Sequence, residues 1–375
     1  ENNYFSLTDG GGSGIWVAAK QYLYDDPYPI EFKSCIFKNN RCRKGGGAFA
    51  YGNSFALNNV IVNLRDCEFI GNVANGDGGA LYLKTQTECV IDGCTFTDNH
   101  VSNDEKSGHA ICIDTNGKVC VTNSTFYNCT SGKGKGSVIS FSGTKIFIEN
   151  STIQFKQESE GSRGIEIKKP SQIELINNQF IQCHTVENGG CIYVDINNVD
   201  TNQSLEFILL LENLIFESNT AKNGCAIQMD ITTPEIIQNE TRTIEIKNST
   251  FIRNRSYQHG GAISIQSYHP LIIQDCLFEN NKANDRTLYS TTSELLFEKQ
   301  EGRAGAIFIH PLFETDSEEI NSTEFIIENC TFKSNRAYDG FAIYVEGEGP
   351  ETQLIIQQNQ FIDNYKNDDN NLIDV

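Results

Sequence analysis

Apolar residues recur along the chain in two sets of alternating pairs. One set follows glycine-rich turns: Ile15/Val17, Leu81/Leu83, Ile111/Ile113, Ile192/Val194, Ile263/Ile265, Ile307/Ile309 and Ile343/Val345. The other set is Ile30/Phe32, Ile146/Ile148, Ile173/Leu175, Ile244/Ile246, Leu271/Ile273, Phe325/Ile327 and Leu354/Ile356. A period of two with β-branched residues predicts strands that bury one face.

A phenylalanine follows the second set in nearly every repeat. The eleven copies of this position are Phe37, Phe69, Phe96, Phe126, Ile153, Phe180, Phe216, Phe251, Phe278, Phe332 and Phe361. An asparagine stands three residues later at Asn40, Asn72, Asn99, Asn219, Asn254, Asn281, Asn335 and Asn364, and the other copies carry Cys129, Lys156 and Cys183. Five of the ten spacings between phenylalanine positions are 27 to 29 residues, so the longer spacings contain loop insertions.

A 27-residue repeat with two strands and two turns has no room for a crossover helix. The sequence therefore predicts an all-β solenoid, a single-stranded parallel β-helix of about eleven coils. Adjacent coils would lie about 4.8 Å apart, which gives a rod on the order of 50 Å long. The phenylalanine column would fill the core, and the asparagine column would form a ladder of hydrogen bonds between coils.

The combined Gly-Gly-Ala-Ile and Phe-x-x-Asn motifs resemble the repeats of polymorphic outer-membrane proteins, first known from chlamydiae. The resemblance covers roughly residues 12 to 364, although no outer-membrane barrel is visible in these residues. It implies a right-handed parallel β-helix of the pectin-lyase-like class. Function stays open, because this solenoid is found in enzymes, adhesins and inert rods.

The repeats divide the chain into a short N-terminal segment and one solenoid. Residues 1–11 are expected to cap or extend the first coil, and residues 12–375 to form the solenoid, with loops near 197–204, 232–241, 284–301 and 314–321. The fifth coil is degenerate, since Ser162, Arg163 and Gly164 replace its Gly-Gly-Ala. No initiator Met or signal peptide is present, which predicts a processed chain or a fragment. Open ends predict either a longer solenoid or self-association through stacking copies.

The charge and hydropathy of the chain limit the classes of molecule that it is expected to bind. The net charge of −20 and the pI near 4.7 leave no basic stripe for nucleic acid. No apolar run approaches the length needed to span a membrane. The remaining candidates are glycans and cell-surface ligands.

Nine Asn-x-Ser/Thr sequons indicate a secreted or cell-surface glycoprotein. Asn202, Asn239 and Asn321 fall in the predicted loops. Asn123, Asn150, Asn248 and Asn329 share the position three before the phenylalanine, which is expected to point outward. Asn254 belongs to the inward ladder and is expected to remain unmodified.

Thirteen cysteines are present. Cys35, Cys67, Cys94, Cys276 and Cys330 occupy one column, two before the phenylalanine, where serine also occurs, so a buried thiol ladder is expected. Cys191 and Cys225, in neighbouring copies of the glycine strand, are the best candidates for a disulfide. No Cys-x-x-Cys occurs, and neither a metal nor another cofactor is expected.

The sequence gives little support for a catalytic site. The outward row of the glycine strands contains one carboxylate, Glu166, whereas a glycosidase needs two carboxylates roughly 5–9.5 Å apart. Asp195, Asp230 and Asp275 are expected at strand ends or turns of separate coils. The sequence therefore predicts a non-enzymatic structural or adhesive β-helix that can assemble end to end into filaments. The alternative is a carbohydrate-binding or polysaccharide-degrading β-helix.

Overall fold

The computed structural model describes residues 4–5, 14–18, 28–52, 60–84, 87–103, 106–114, 117–131, 136–143, 145–156, 161–168, 170, 172–196, 208–232, 243–284, 302–312, 323–347 and 352–366. The predicted loops at 197–204 and 314–321 lie outside these ranges. So do the predicted loops at 232–241 and 284–301 apart from Thr232 and Asn284, and the predicted cap apart from residues 4–5.

Each coil contributes one strand to each of three parallel eleven-stranded sheets. The glycine sheet contains Ile15–Ala18, Phe49–Gly52, Leu81–Lys84, Ile111–Asp114, Ser137–Ser142, Arg163–Lys168, Ile192–Asp195, Ile227–Ile231, Ile263–Ser267, Ile307–Pro311 and Ile343–Val345. The middle sheet contains Tyr28–Lys33, Val60–Arg65, Thr87–Asp92, Lys118–Thr122, Lys145–Glu149, Gln172–Ile176, Ile208–Glu212, Thr243–Lys247, Leu271–Gln274, Thr323–Glu328 and Thr352–Gln357. The phenylalanine sheet contains Ile36–Lys38, Glu68–Ile70, Thr95–Thr97, Thr125–Tyr127, Thr152–Gln154, Gln179–Ile181, Ile215–Glu217, Thr250–Ile252, Leu277–Glu279, Thr331–Lys333 and Gln360–Ile362.

Two-residue strands extend some coils beyond the phenylalanine sheet. They are Tyr4–Phe5, Arg41–Cys42, Val73–Ala74 and His100–Val101 in one sheet, Thr220–Ala221 with Arg255–Ser256, and Arg336–Ala337 with Tyr365–Lys366. The predicted parallel β-helix of about eleven coils is confirmed. The prediction of two main strands per coil was wrong, since each coil has three. The third strand was not recognised because it is three residues long, which is too short to show an alternating pattern.

The phenylalanine column forms a continuous aromatic stack in each half of the rod. Phe69 lies 4.9 Å from Phe37 and 4.7 Å from Phe96 between ring centroids, with nearly parallel planes. Phe251 lies in the same way between Phe216 and Phe278, at 4.8 and 4.6 Å. These distances match the spacing of hydrogen-bonded strands, so strand pairing sets the stacking of the rings.

A single residue in the left-handed conformation turns the chain from the middle sheet to the phenylalanine sheet in every coil. This residue is Ser34, Asp66, Gly93, Asn123, Asn150, Asn177, Asn213, Asn248, Asp275, Asn329 or Gln358, with φ between 49° and 61°. Asparagine, aspartate and glycine tolerate this conformation best among the residue types. The position three before the phenylalanine is therefore a backbone corner.

The inward asparagines lie directly above one another. The backbone N–H and Nδ2 of Asn72 both donate to Oδ1 of Asn99 at 3.0 Å. Nδ2 of Asn72 also donates to the carbonyl of Phe37 at 2.9 Å. The same bonds join Asn40 to Asn72 and, in the second half, Asn219, Asn254, Asn281, Asn335 and Asn364. Cys129, Lys156 and Cys183 separate the two runs.

The residue after the left-handed corner forms a second ladder. The backbone N–H of Cys94 donates to Oγ of Ser124, and the N–H of Ser124 donates to Oγ of Ser151, at 3.2 and 3.1 Å. Oγ of Ser124 in turn donates to the carbonyl of Thr122 at 2.8 Å. Cys67 places its thiol in the same way, 3.2 Å from the carbonyl of Arg65. Serine and cysteine alternate here because both satisfy corner backbone groups.

Candidate functional site

The outward side chains of the glycine sheet form the most chemically varied surface of the rod. One column contains Ala50, Tyr82, Cys112, Ser140, Glu166, Tyr193, Gln228, Ser264, Phe308 and Tyr344 in register. The column is sheltered by the preceding turn, because a Cβ on Gly189 would lie 2.8 Å from Cβ of Tyr193. Burial raises the pKa of Tyr82 to about 12. Glycine is needed where the backbone crosses so closely over a side chain.

A second outward column lies two residues further along each strand. It places Lys168, Asp195 and Asp230 on three successive strands, with Asp195 and Asp230 as register partners. Asp195 and Asp230 stand at strand ends of separate coils, as expected, and these coils are adjacent, so the two residues are neighbours. Strand periodicity could have shown this, because each lies two residues after an outward residue already identified.

Arg163, from the degenerate fifth corner, organises the middle of this face. Its guanidinium lies 3.0 Å from Glu166 and 3.1 Å from Glu187. It also covers the ring of Tyr193, 4.6 Å from the centroid. The second oxygen of Glu166 lies 3.2 Å from Nζ of Lys168. Glu166 is only 4% exposed, so both of its oxygens are engaged away from bulk water.

Two hydrogen-bond donors on the same outward face of the glycine sheet bind the carboxylate of Asp230. Tyr193 Oη donates to Oδ2 at 2.9 Å, and Nε2 of Gln228 donates to Oδ1 at 2.6 Å. Burial, followed by the charge of Asp230, raises the pKa of the Tyr193 hydroxyl. Tyr193 therefore stays a neutral donor throughout the physiological pH range, and the two oxygens of Asp230 are both occupied.

These contacts limit the chemistry that the surface can perform. A general acid must hold a proton, and a general base must have an oxygen that can reach the reacting group. Arg163 and Lys168 each contact one oxygen of Glu166, so neither oxygen points freely into solvent. The arrangement of Glu166 and Asp230 is that of a structural network between coils.

A serine and a histidine lie together inside the solenoid. Oγ of Ser162 is 2.6 Å from Nδ1 of His109, and both residues are 0% exposed. Gly136 lies between their coils, and a Cβ there would lie 2.9 Å from Nε2 of His109. A nucleophile requires access to its substrate, so this pair connects coils rather than performing catalysis. The remaining histidines are dispersed, and His259 stacks on Phe308 at 4.9 Å.

The predicted glycan acceptors divide into two groups. Asn123, Asn150, Asn248 and Asn329 occupy exposed left-handed corners, whereas Asn202, Asn239 and Asn321 lie outside the described residues. Three corner acceptors donate from Nδ2 to a carboxylate of the coil below: Asn123 to Asp92 at 2.8 Å, Asn248 to Glu212 at 3.4 Å, and Asn329 to Asp275.

The fold itself accounts for the spacing of the corner sequons. Asn150, for example, makes the left-handed turn, Ser151 enters the second ladder, and Thr152 begins the outward face of the next strand. Each residue type fits its structural position. The corner sequons therefore indicate accessible acceptors, but their number alone is weak support for glycosylation.

The thirteen cysteines all lie in the described part of the chain, and no disulfide joins any of them. The suggested pair Cys191 and Cys225 is out of register. Ile192 pairs with Ile227, which places Cys191 level with Ala226 rather than with Cys225.

No group of three or more His, Cys, Asp or Glu side chains in these ranges is arranged to hold a metal ion. No helix in the described ranges has the length and apolar character required to cross a membrane.

Family models match two parts of the chain. A model described as a right-handed β-helix region matches residues 213–372, and one described as the Chlamydia polymorphic membrane protein repeat matches residues 66–84. Both matches agree with the resemblance seen in the motifs and with a right-handed parallel β-helix. Together they indicate a surface or extracellular β-helix protein, and the repeat match favours a non-enzymatic one.

A curated relative is similar to about half of the chain. Metabotropic glutamate receptor-like protein R of Dictyostelium discoideum is 25% identical over 187 residues. The alignment covers 50% of this chain and 10% of the relative, so the chain spans about a tenth of the relative's length. No solved structure matched this chain.

Proposed function

We propose that this chain is a secreted or cell-surface rod, N-glycosylated and non-enzymatic, that acts as a structural or adhesive scaffold. The main support for this proposal is that neighbouring side chains bind the carboxylates at the centre of the outward face of the glycine sheet. Glu166 and Asp230 are each bound through both oxygens by neighbouring side chains. A receptor-like relative and a surface-protein repeat support a location outside the cell.

The alternative is a β-helix that binds or degrades polysaccharide. A glycosidase of this kind would need one protonated and one available carboxylate on either side of a sugar. Asp195 and Asp230, which are register partners on adjacent strands, bring two carboxylates together on the described outer face. Tyr193 and Gln228 orient Asp230 along the surface, which favours the structural role.

An assay of polysaccharide degradation distinguishes the scaffold function from the enzymatic alternative. Purified protein would be incubated with neutral and acidic polysaccharides while reducing ends and unsaturated products are measured. The scaffold function predicts no depolymerisation, and unchanged surface adhesion for Asp230→Asn. Depolymerisation by the original protein that disappears in Asp230→Asn, with folding retained, would establish the enzymatic alternative.

Self-association through the ends of the rod forms part of the proposal. In the last described coil Phe361 stacks on Phe332 at 5.0 Å and is 52% exposed, and Ile356 is 44% exposed. A further coil stacked on this coil would bury both side chains. Sedimentation of wild-type protein should show concentration-dependent association that Phe361→Ser weakens. Ile215→Ser, at a side-chain exposure of 38%, is the lateral control, and equal effects of the two changes would refute end-to-end stacking.

Two sequons of one coil provide a matched test of glycosylation. Asn248 is exposed at a corner, whereas Asn254 is 0% exposed and donates Nδ2 to Phe216 and Asn281. Peptide mapping of secreted protein should find a glycan on Asn248 and none on Asn254. Asn248→Gln should remove one glycan without loss of secretion. Unmodified Asn248 together with unmodified loop acceptors would contradict the glycoprotein assignment.

A further inference from the structure

Asn123 and Asn150 are corner sequons on adjacent coils. The residues just before them, Thr122 and Glu149, are register partners in the middle sheet. The two corners have the same backbone conformation, with φ of 51° and 50°, and both residues are exposed. Their side chains therefore leave the rod in parallel, one coil spacing of about 4.8 Å apart.

The other two corner sequons have no such neighbour. Asn248 lies between the corners of Asn213 and Asp275, and neither of these residues begins an Asn-x-Ser/Thr sequence. Asn329 lies between the corners of Asp275 and Gln358, which do not begin one either. The fourth and fifth coils are therefore the place where two corner acceptors adjoin.

The two acceptors differ in how their amides are held. Nδ2 of Asn123 donates to Oδ1 of Asp92 on the coil below, at 2.8 Å. Beneath Asn150 the register partner of Asp92 is Thr122, and the Asn150 side chain makes no hydrogen bond to another residue in the described part of the chain. A glycan replaces one of the two hydrogens on Nδ2. The amide of Asn123 must then keep its remaining hydrogen on Asp92, whereas the amide of Asn150 can rotate.

The corners are too close together for a glycan on each. An N-linked glycan is a bulky group, and its branches are far wider than the coil spacing of about 4.8 Å. The N–H of Asn123 donates to the carbonyl of Glu149, and the N–H of Asn150 donates to the carbonyl of Ile176, both at 3.1 Å. These bonds fix the separation of the corners, so two glycans could be accommodated only by breaking them.

We propose that Asn123 and Asn150 exclude each other as glycan acceptors, and that the folded, secreted protein carries one glycan on this pair, attached to Asn150. Nδ2 forms a bond to the anomeric carbon of a lipid-linked oligosaccharyl diphosphate, the bond from that carbon to the diphosphate breaks, and one amide proton is released with the diphosphate. Chains modified on both residues fold poorly and are lost before secretion. The inference rests on the proposed glycosylation of the rod and adds a rule for its distribution.

A count of glycans on single peptides tests the proposal. No aspartate lies between Asp114 and Asp195, so cleavage before aspartate yields one peptide, residues 114–194, that contains both acceptors. Enzymatic release of the glycans in heavy-oxygen water converts each modified asparagine to a labelled aspartate, which tandem mass spectrometry locates. We expect one label on the pair, at Asn150.

The outcomes separate this inference from the glycoprotein assignment. Labels on both Asn123 and Asn150 of one peptide, or a label mainly on Asn123, would overturn the proposal. An unlabelled pair in protein that carries a glycan on Asn248 would overturn it as well, while the glycoprotein assignment would stand. Protein without a glycan on any acceptor would refute both.

Two variants test the exclusion itself. Asn150→Gln removes the preferred acceptor, so occupancy of Asn123 should rise severalfold, and unchanged occupancy would contradict competition between the two residues. Ile215→Thr creates a sequon at Asn213, on the corner next to Asn248. The intact mass of this secreted variant should show no additional glycan, and an additional one would refute the steric argument. The wild-type peptide decides the main question even where a variant is poorly secreted.

Discussion

At the scale of single residues, the rod depends on amide side chains in two different roles. Corner residues such as Asn150 adopt φ near 50° and allow a turn within one residue. Ladder residues such as Asn254 satisfy backbone groups inside the coil and bond the coils above and below. The asparagine-rich sequence follows from these two requirements.

The corner role predicts a specific pattern of tolerance at Asn150. Asn150→Gly should change the free energy of unfolding by only a few tenths of a kcal/mol, because glycine adopts positive φ readily. Asn150→Val should lose about 1–2 kcal/mol, because a β-branched residue is strained there. Urea unfolding of both variants measures the difference. Equal stability would contradict a left-handed corner.

The ladder role predicts a larger loss at Asn254. Asn254→Ala would leave the N–H of Asn219 and the carbonyl of Phe216 without their partner inside the core. Unsatisfied buried groups cost about 1–3 kcal/mol each, so a loss of about 3 kcal/mol is expected. Asn63→Ala, on the outer face of the middle sheet, should stay within about 0.5 kcal/mol. A comparable loss at the two positions would argue against the ladder.

Two half-buried histidines predict the response to acid. Burial lowers the pKa of His184, which lies beside Thr220, and burial together with Arg303 lowers the pKa of His259. Above about pH 7.5 these histidines are almost entirely neutral in both states and add almost no pH dependence. Below that pH the unfolded chain binds protons more readily than the folded chain, so the free energy of unfolding falls.

Replacement of the two histidines tests whether the free energy of unfolding falls with pH for this reason. The double variant His184→Gln, His259→Gln should lose less stability than the wild type between pH 7 and pH 5. Thermal unfolding at several pH values measures the two slopes, and Lys156→Gln, an exposed cation, is the control. A steeper slope in the histidine variant would contradict the direction of the pKa shifts.

At the scale of strands and sheets, the regularly repeated features could be predicted from sequence. The phenylalanine column and both alternating patterns appear many times, and each copy supports the others. The third strand was missed because Phe37 and its equivalents lie within strands of three residues. The pairing of Asp195 with Asp230 was missed because only one outward position per strand was followed. The position of Arg163 over Tyr193 depends on a turn that departs from the repeat, so no pattern could show it.

The aromatic stack predicts the cost of a cavity between coils. Phe251 is 0% exposed and lies between two other rings. Phe251→Ala should lose about 3–5 kcal/mol in the free energy of unfolding, because both ring contacts and the buried area disappear. Ile252→Ala, on the outward side of the same strand, is the matched control and should lose less than about 1 kcal/mol. A loss below that of Ile252→Ala would place Phe251 outside the core.

At the scale of the whole molecule, one winding pattern connects all of these features. Strand pairing brings equivalent residues together over separations of 27 to 54 residues, as in the ladder bonds from Asn254 to Asn281 and from Asn281 to Asn335. The interior is therefore formed by repetition, and the exterior is left to the corners, the turns and the glycine-sheet face. A net charge of −20 keeps such a surface solvated.

Ring-to-ring contacts test the stacked solenoid most directly. In protein selectively labelled at phenylalanine, with assignments made by single replacements, nuclear Overhauser spectra should join Phe69 to Phe96 and Phe96 to Phe126. The centroid distances of these pairs are 4.7 and 4.8 Å. Contacts that follow this order, without a contact from Phe96 to Phe180, are the predicted result. A folded protein that lacks the contact between Phe69 and Phe96 would contradict the stacked columns and the scaffold function built on them.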